Sequence, residues 1–468
     1  MAASRSGGMA ALPGAKGAGS ARRPRDRRAA RRLLRGLLLA LLPACALAGD
    51  APPPVAALGG ETSRIARGFT ALSLPAANLT DAQVRAFFPG LLLFNQPWGV
   101  TPSPDQAGLG LGRLHNAAAC GDCHLRDGRG LPPEAGVRLT TVTLQLAVPD
   151  AAGWQPDPRY GRQLQPLATA GPPEGRPSIA WEEIRGHYPD GRTYRLRRPL
   201  PQVTDLSAGP LPPETALSLR LAPTMSGLGL LEALPEQLLL QRHDPDDGDG
   251  DGISGQARWL ESEGQRRLGR FGWKADSPDL RSQAALAAWE DLGLSSSLHP
   301  DEPTVELDEA ALKALTFYSQ SLAVPLAEGL TEPQAQAGAA LFAELGCGGC
   351  HLADLTTGPH PVAAFGGQRI YPYTDLLLHD MGPGLADRDL SGQISQTPLA
   401  AEWRTPPLWG LGRARQVSGK WALLHDGRAR SPAEAILWHG GEAAATRRAF
   451  MALPLAHRQA LLAFLDAL

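Results

Sequence analysis

The feature that most constrains this 468-residue chain is a pentapeptide, Cys-x-x-Cys-His, that occurs twice. The first copy spans Cys120–His124 and the second spans Cys347–His351. Two thiols at this spacing can each form a thioether with one vinyl group of a haem, while the adjacent histidine binds the iron from the same side. The motifs therefore predict two covalently bound c-type haems, with His124 and His351 as axial ligands.

The cysteine inventory agrees with this interpretation. Apart from Cys45, every cysteine belongs to a motif, namely Cys120, Cys123, Cys347 and Cys350. A zinc site would need two more ligands at a matching spacing. A thioredoxin-like dithiol would follow a strand of a βαβ unit, and the sequence predicts no such unit before either motif.

The N-terminus reads as an export signal. Residues 1–48 carry ten basic residues and one acidic residue, and they contain a short apolar run, Leu37–Leu42. Small residues in Ala46–Ala48 suit a cleavage site, which predicts a signal peptide over 1–48 and a periplasmic or otherwise exported protein. The run is shorter than the roughly 20 residues that span a bilayer. Leu42–Cys45 resembles a lipobox, so a lipid anchor on Cys45 is an alternative and the only predicted membrane contact.

Charge restricts the partners. The net charge of −2 becomes −11 once residues 1–48 are removed. A negative surface disfavours nucleic acid and anionic lipid, and it suits a basic redox partner protein. A small electron donor is the alternative partner.

A weak internal repeat precedes the two motifs. Gly90–Phe94 and Gly338–Phe342 share the pattern G-x-x-L-F, in which glycine allows close helix packing. The repeat predicts a mainly α fold of two tandem cytochrome c-like haem domains, at 58–300 and 301–468. A loop-rich insertion with short strands, around 151–215, is expected inside the first domain.

Helix signals lie near both motifs. Helices are predicted to begin at Thr80 and at Thr331-Glu-Pro. Apolar spacing predicts two further helices, over 308–322 and 455–468.

Long segments of the chain resemble the di-haem oxidoreductase family of peroxidases, also labelled thiol oxidoreductases and related to bacterial di-haem cytochrome c peroxidases. The matching segments are Gly59–Thr62, Pro75–Asn78, Gly110–Asn116, Asp127–Gly130, Gly227–Ala233, Gly269–Ala275, Asp375–Gly382, Glu402–Gly410, Leu424–Arg428 and Ile436–Glu442. The resemblance implies the tandem haem fold and a peroxidase-like redox reaction, with hydrogen peroxide or another small molecule as the expected substrate. A thiol reaction is the weaker implication, because no free cysteine remains for it.

The resemblance also implies a second ligand for the C-terminal haem. In the related peroxidases the distal ligand follows the histidine of a segment like Leu424–Arg428 by about 14 residues, and here that position is His439. His379 and Met381 are rival ligands. An iron with two strong protein ligands transfers electrons, whereas an open iron can bind peroxide.

For the N-terminal haem, no distal histidine follows the motif at a suitable spacing, and the next one, His187, lies in the insertion. An accessible iron is therefore expected, with Met225 as an alternative ligand. Glu232 is the candidate acid for moving a proton between the peroxide oxygens, and a surface role is its alternative.

Two more features complete the predicted sites. Trp273 is a candidate electron relay between the haems, with core packing as the alternative. Asp247, Asp249 and Asp251 repeat the opening of a calcium loop, but Arg258 stands where an EF-hand has glutamate. A calcium ion is therefore a candidate cofactor, against a solvated acidic turn.

These inferences lead to one main functional hypothesis. The chain is expected to be an exported redox enzyme whose C-terminal haem passes electrons to a peroxide-reducing N-terminal haem. The alternatives are a non-catalytic electron-transfer cytochrome with both haems fully ligated, and a binding module that kept the cytochrome scaffold.

Overall fold

A computed structural model describes residues 56–99, 110–151, 153–262, 264–300 and 305–468. The predicted signal peptide and Cys45 lie outside the described residues. Those that are described belong to one compact unit. None of their helices is long and apolar enough to cross a membrane.

The α-helices within the described residues are mostly short, as expected for a chain with 53 glycines and 43 prolines. They are α1 (Asp81–Asn95), α2 (Cys120–Cys123), α3 (Leu228–Glu232), α4 (Glu236–Leu240), α5 (Leu280–Leu292), α6 (Glu309–Ser321), α7 (Pro333–Glu344), α8 (Leu411–Ser418), α9 (Pro432–Trp438), α10 (Ala444–Ala452) and α11 (Leu455–Ala467). The four helices predicted from the sequence are confirmed as α1, α6, α7 and α11.

The strands within the described residues form six small antiparallel groups. They are β1 (Leu114–His115), β2 (Val142–Asp150), β3 (Gly153–Gln155), β4 (Leu167–Ala168), β5 (Arg176–His187), β6 (Thr193–Thr204), β7 (Ala216–Leu221), β8 (Trp259–Ser262), β9 (Gln265–Leu268), β10 (Leu355–Thr356), β11 (Arg369–Ile370), β12 (Leu378–Asp380), β13 (Arg388–Asp389) and β14 (Glu402–Arg404). The largest sheet has the order β13-β7-β2-β3, and the others are two-stranded pairs.

The predicted mainly α class is wrong. Of the described residues, 31% are helical and 21% are in strands. Much of the difference comes from the insertion, where β5 and β6 form a hairpin of two 12-residue strands. Local composition misled the prediction, because prolines and arginines are tolerated in a two-stranded hairpin whose edges face solvent.

Two helix crossings organise the molecule. Gly90 of α1 lies against α6, where an added Cβ would be 2.2 Å from the Ala314 carbonyl oxygen and 2.5 Å from the Tyr318 Cβ. Only glycine permits so close an approach of two helix backbones. Thr80 caps α1 through a capping box with Gln83.

The second crossing repeats the first. Gly338 of α7 lies against α11, where an added Cβ would be 2.0 Å from the Ala460 carbonyl oxygen and 2.8 Å from the Phe464 Cβ. In both crossings the glycine contacts an alanine and the aromatic residue four positions later. The sequence repeat therefore extends to the partner helices, α6 and α11.

The crossing of α1 and α6 bears on the predicted domain boundary at residues 300 and 301. α6 follows that boundary, yet it packs against α1 of the first domain. The division into 58–300 and 301–468 stays a prediction.

The β5–β6 hairpin reaches the C-terminal helices. Asp190 at its tip pairs with the buried Arg458 of α11. The guanidinium of Arg458 also lies 4.1 Å from the ring of Tyr188. The insertion is thereby attached to the part of the fold that carries the second motif.

Candidate haem sites

The first motif forms the single turn α2, and its histidine is oriented by the backbone. The Nδ1 atom of His124 lies 2.8 Å from the Pro223 carbonyl oxygen. Such a bond fixes Nδ1 as the protonated nitrogen and leaves Nε2 for a metal. Burial lowers the pKa of His124, which favours the neutral, ligating form. Neither Cys120 nor Cys123 is in a disulfide.

The second motif has the same arrangement. The Nδ1 atom of His351 lies 2.9 Å from the Tyr373 carbonyl oxygen. Burial lowers the pKa of His351 to about 4. Cys347 and Cys350 are free thiols, like those of the first motif.

Each motif histidine has the repeat phenylalanine beside it. The ring centroids of Phe94 and His124 are 6.0 Å apart, and those of Phe342 and His351 are 6.3 Å apart. The crossing helices thus place one aromatic ring next to each candidate iron ligand.

His439 has the hydrogen bonding expected of a ligand. It ends α9, and its Nδ1 atom lies 2.7 Å from the Ala435 carbonyl oxygen, which leaves Nε2 for a metal. His439 is close enough to His351 to contribute to the lowered pKa of that residue.

The rival His379 has no such free nitrogen. Its Nε2 atom lies 2.8 Å from Asp375 and its Nδ1 atom 2.7 Å from Glu442. Burial alone would lower the pKa of His379, but the hydrogen bonds with Asp375, Cys350 and Glu442 raise it instead. A protonated imidazole held between two carboxylates cannot bind iron. The other rival, Met381, is half-buried and packs against the apolar core that contains Phe342 and Trp438.

A cavity of about 230 Å³ opens beside the first motif and includes Cys120, Cys123 and His124 in its wall. His124 is the only histidine among its described lining residues, and Met225 is their only methionine. The charged and amide side chains of the wall are Arg129, Arg162, Arg220, Arg404, Asp276, Glu290, Asp291, Gln145, Gln163 and Gln283.

The β2–β7 pair, whose strands flank the insertion, supplies one wall of this cavity. In the β2–β7 pair, Thr143 lies opposite Arg220, and both line the cavity. Because side chains alternate across a sheet, neighbours such as Leu144 and Leu219 pack into an apolar core on the other face. A sheet with one polar and one apolar face therefore closes a cavity that begins at a helical motif.

The helix α5 supplies a second wall with two buried acids. Burial raises the pKa of Glu290 to about 7 and that of Asp291 to about 6. The Glu290 Oε1 atom is 3.3 Å from Arg162 Nε in an ion pair, although it accepts no hydrogen bond. The buried Gln283 Oε1 atom of the same helix also lacks a hydrogen-bond partner, as does the buried Oγ1 atom of Thr224 elsewhere in the cavity lining.

This donor set fits a haem. Two free thiols and an oriented imidazole occupy one end of a mostly apolar cavity. Buried polar groups normally form hydrogen bonds. The polar atoms of the cavity wall that form none are therefore available to bind a group inside the cavity.

Glu232 lies outside this cavity lining. Its carboxylate accepts hydrogen bonds from the Leu280 backbone N–H at 2.8 Å and from the Gln320 amide at 2.6 Å. His360 Nε2 is 3.2 Å away. These contacts fasten α3 to α5 and α6, and the predicted role of Glu232 as a proton donor stays a prediction.

Trp273 is shared between the first cavity and an apolar core. It lines the first cavity and belongs to the apolar core that also contains Phe342 and Trp403. Its indole N–H donates to the Leu221 carbonyl oxygen at 2.7 Å. The ring of His425 lies 6.5 Å from Trp273 and stacks on Trp403 at 3.5 Å.

The acidic loop brings together a slightly different set of carboxylates from the predicted one. Oxygens of Asp244, Asp247 and Asp249 lie within 4.8 Å of one another. Asp251 is outside this group, and it accepts a hydrogen bond from the Ile253 backbone N–H. The calcium prediction is not tested by this arrangement.

Sequence reasoning missed the cavity residues Arg129, Arg404 and Glu290. Arg129 lies in the matching segment Asp127–Gly130 and Arg404 in Glu402–Gly410, so both carried a signal. No sequence signal marked Glu290, because its position in the cavity wall depends on how α5 packs against the insertion.

Comparison with known proteins gives one result. A family model described as "Di-haem oxidoreductase, putative peroxidase" matches residues 54–149, 178–313 and 303–468. No curated protein and no solved structure matches the chain. The match covers most of the chain and confirms the resemblance found in the sequence, and the chain belongs to the di-haem oxidoreductase family.

Proposed function

We propose that this di-haem oxidoreductase is an exported c-type cytochrome that reduces hydrogen peroxide at its first haem site. The observation that carries the proposal is the asymmetry between the sites. The first has a mostly apolar cavity with His124 as the only histidine among its described lining residues, whereas the second has His439 close to His351. One closed and one accessible iron is the arrangement that a relay and a reaction centre require.

Covalent attachment is part of the proposal. The haems join Cys120 and Cys123 in the first motif and Cys347 and Cys350 in the second. When bound, the two haems supply electron transfer and peroxide reduction, with the C-terminal haem relaying electrons to the N-terminal one. The position of Trp273 in the wall of the first cavity and in the core shared with Phe342 supports it as the relay residue.

Peroxide reduction also needs protons, because H2O2 takes up two electrons and two protons to form two waters. Glu290 is suited to donate one of them, since burial raises its pKa to about 7. Glu290 lies in the cavity wall, and Arg162, whose Nε is 3.3 Å from the Glu290 Oε1 atom, stabilises the carboxylate that remains. A general acid with a pKa near the working pH is the most effective kind.

The experiment compares Glu290→Gln with Glu232→Gln in the haem-loaded protein under reducing conditions. Loss of a general acid costs about 10²-fold or more in rate, so we expect that loss in peroxide turnover for Glu290→Gln. Glu232 is the acid predicted from sequence and is the matched carboxylate outside the cavity lining. A loss confined to Glu232→Gln would support the sequence prediction and contradict the role of Glu290.

The pH dependence gives a second test of Glu290. Its protonated fraction falls as pH rises through about 7, so turnover should fall by about tenfold per pH unit well above that value. Glutamine does not titrate, and the Glu290→Gln protein should lack this limb. An unchanged limb in that variant would assign it to another group.

A non-catalytic electron-transfer cytochrome is the second candidate function. Met225 lines the first cavity, and its thioether could ligate the iron opposite His124. In that case Met225→Ala should convert a low-spin haem to a high-spin one, whereas the peroxidase proposal expects no such change.

The electron donor and the location belong to the same proposal. The net charge of −11 without residues 1–48 suits a basic redox partner protein, and a small electron donor is the alternative. Export through residues 1–48, to the periplasm or a similar compartment, predicts a mature N-terminus at Gly49 or at a lipidated Cys45. Mass spectrometry of the haem-loaded protein would decide, and an intact N-terminus would contradict export.

We also propose calcium binding by the acidic loop. Asp244, Asp247 and Asp249 offer carboxylates at the spacing that a hard cation prefers. The loop continues to Ser254, which donates two hydrogen bonds to Glu442 near the second motif. Calcium would thus stabilise the surroundings of the second haem.

A further inference from the structure

Two buried arginines in the first cavity have no carboxylate partner. Arg129 and Arg404 are 9% and 7% exposed, and neither forms an ion pair with any described residue. Each donates to backbone carbonyls: Arg129 to Ala422 and Leu424, and Arg404 to Gly272 and Thr405. The other cavity arginines differ, since Arg162 and Arg220 both pair with Asp276.

Burying a guanidinium without a counter-charge is unfavourable. Backbone carbonyls satisfy some N–H donors, but they carry no net negative charge. Burial lowers the pKa of both Arg129 and Arg404 to about 10, so both remain charged at neutral pH. The carboxylates of Asp375 and Asp276 offset part of the charge of Arg404, although neither forms an ion pair with it, and no described carboxylate does the same for Arg129. The two arginines therefore favour binding of an anion in this cavity.

Trp273 lies beside both arginine residues. The Arg129 guanidinium is 5.5 Å from the Trp273 ring, and the Arg404 backbone N–H donates to the Trp273 carbonyl oxygen at 2.9 Å. Arg404 therefore approaches the cavity from the side of Trp273, with Pro406 and Pro407 beside it in the wall.

We propose that Arg129 and Arg404 form a carboxylate subsite that binds the two propionates of the first haem. The planar guanidinium fork matches a carboxylate better than any other side chain does. Cys120 and Cys123 would hold the thioether edge of the haem. The two arginines would hold the propionate edge, beside Trp273.

The inference rests on the proposed attachment of haem to Cys120 and Cys123, and its test separates the two. The reduction potential of the first haem is measured by spectroelectrochemistry in wild-type, Arg129→Gln and Arg404→Gln proteins. Removing a positive charge beside the propionates favours Fe(III). At a fixed electrode potential we expect the Fe(II)/Fe(III) ratio to fall about tenfold, which equals 59 mV for one electron.

Arg126→Gln is the matched control. Arg126 precedes Arg129 by three residues, is exposed and does not line the cavity. The same change of charge there is screened by water, so the ratio should change by less than threefold. Arg129→Lys and Arg404→Lys keep the charge and serve if a glutamine variant fails to fold. Each should lower the frequency of the propionate bending mode in resonance Raman spectra, because the fork is lost.

The outcomes are distinct. Haem that is bound but shows an unchanged ratio in both glutamine variants, or an unchanged bending mode in both lysine variants, would overturn the subsite. Absence of covalent haem from the wild-type protein would instead refute the proposed function. Acetate serves as a free carboxylate: if it changes the haem spectrum of wild type but not of Arg404→Gln, the arginines bind a soluble anion and the propionate assignment is wrong.

Discussion

Replacing Gly338 by alanine should force apart the helix pair beside the second motif. The new Cβ would lie 2.0 Å from the Ala460 carbonyl oxygen and 2.8 Å from the Phe464 Cβ. Contacts of 3.4–4 Å are ordinary, so α7 and α11 must separate by more than an ångström. Overpacking of this kind costs about 1–3 kcal/mol, and alanine recovers about 1 kcal/mol of helix propensity. We expect the free energy of unfolding to fall by up to about 2 kcal/mol.

The assay is urea unfolding of the haem-loaded protein, followed by circular dichroism and by Soret absorbance. Ala340→Gly, at an exposed position of the same helix, is the control because it reports propensity alone. It should lower the free energy of unfolding by about 1 kcal/mol. If Gly338→Ala instead raises the free energy of unfolding by about 1 kcal/mol, helix propensity alone explains the effect and the close crossing of α7 and α11 is refuted.

Two other substitutions test the candidate ligands. His439→Met should raise the reduction potential of the second haem in spectroelectrochemical titration, because thioether favours Fe(II) more than imidazole does. The same change at the exposed His457 should leave it unaltered, and equal potentials in both variants would exclude His439 as the ligand. Removing calcium with EGTA should lower the melting temperature of the wild-type protein, since a cation bound only by the folded state stabilises it. Asp249→Asn should abolish most of that difference in melting temperature. If EGTA leaves the melting temperature of the wild-type protein unchanged, the loop is a solvated acidic turn that binds no calcium.

Local signals were enough to predict the elements around each motif. The capping residue Thr80 and the proline of α7 mark helix starts by chemistry that acts within one turn. The motifs Cys120–His124 and Cys347–His351 likewise carry their chemistry in adjacent residues. Such features need no knowledge of the tertiary fold.

Contacts between distant segments could not be predicted in the same way. The pairing of Gly90 with Ala314 and Tyr318 joins segments more than 220 residues apart, and only comparison with Gly338 and its partners makes it visible. The insertion was expected to have only short strands because it is rich in proline, glycine and arginine. Cross-strand pairing over twelve residues overrides the poor strand preference of proline and glycine.

The candidate site was predicted only in part for the same reason. Glu232 looked suitable by its place in a matching segment, but the fold directs its carboxylate to Leu280 and Gln320. Glu290 reaches the cavity because α5 meets the insertion there, which no local pattern records. The residues within each sequence motif were predicted, whereas the residues from other segments that complete the site were not.

The most direct test of the account is the EPR spectrum of the fully oxidised protein before and after addition of cyanide. Two species are expected. The haem on His124 should give a high-spin Fe(III) signal that cyanide converts to low spin. The haem held by His351 and His439 should give a low-spin signal that cyanide leaves unchanged. The same cyanide-sensitive signal should disappear in a Cys120→Ala/Cys123→Ala protein that has lost the first haem. Two low-spin signals, neither altered by cyanide, would contradict an accessible first haem and leave a non-catalytic electron-transfer cytochrome.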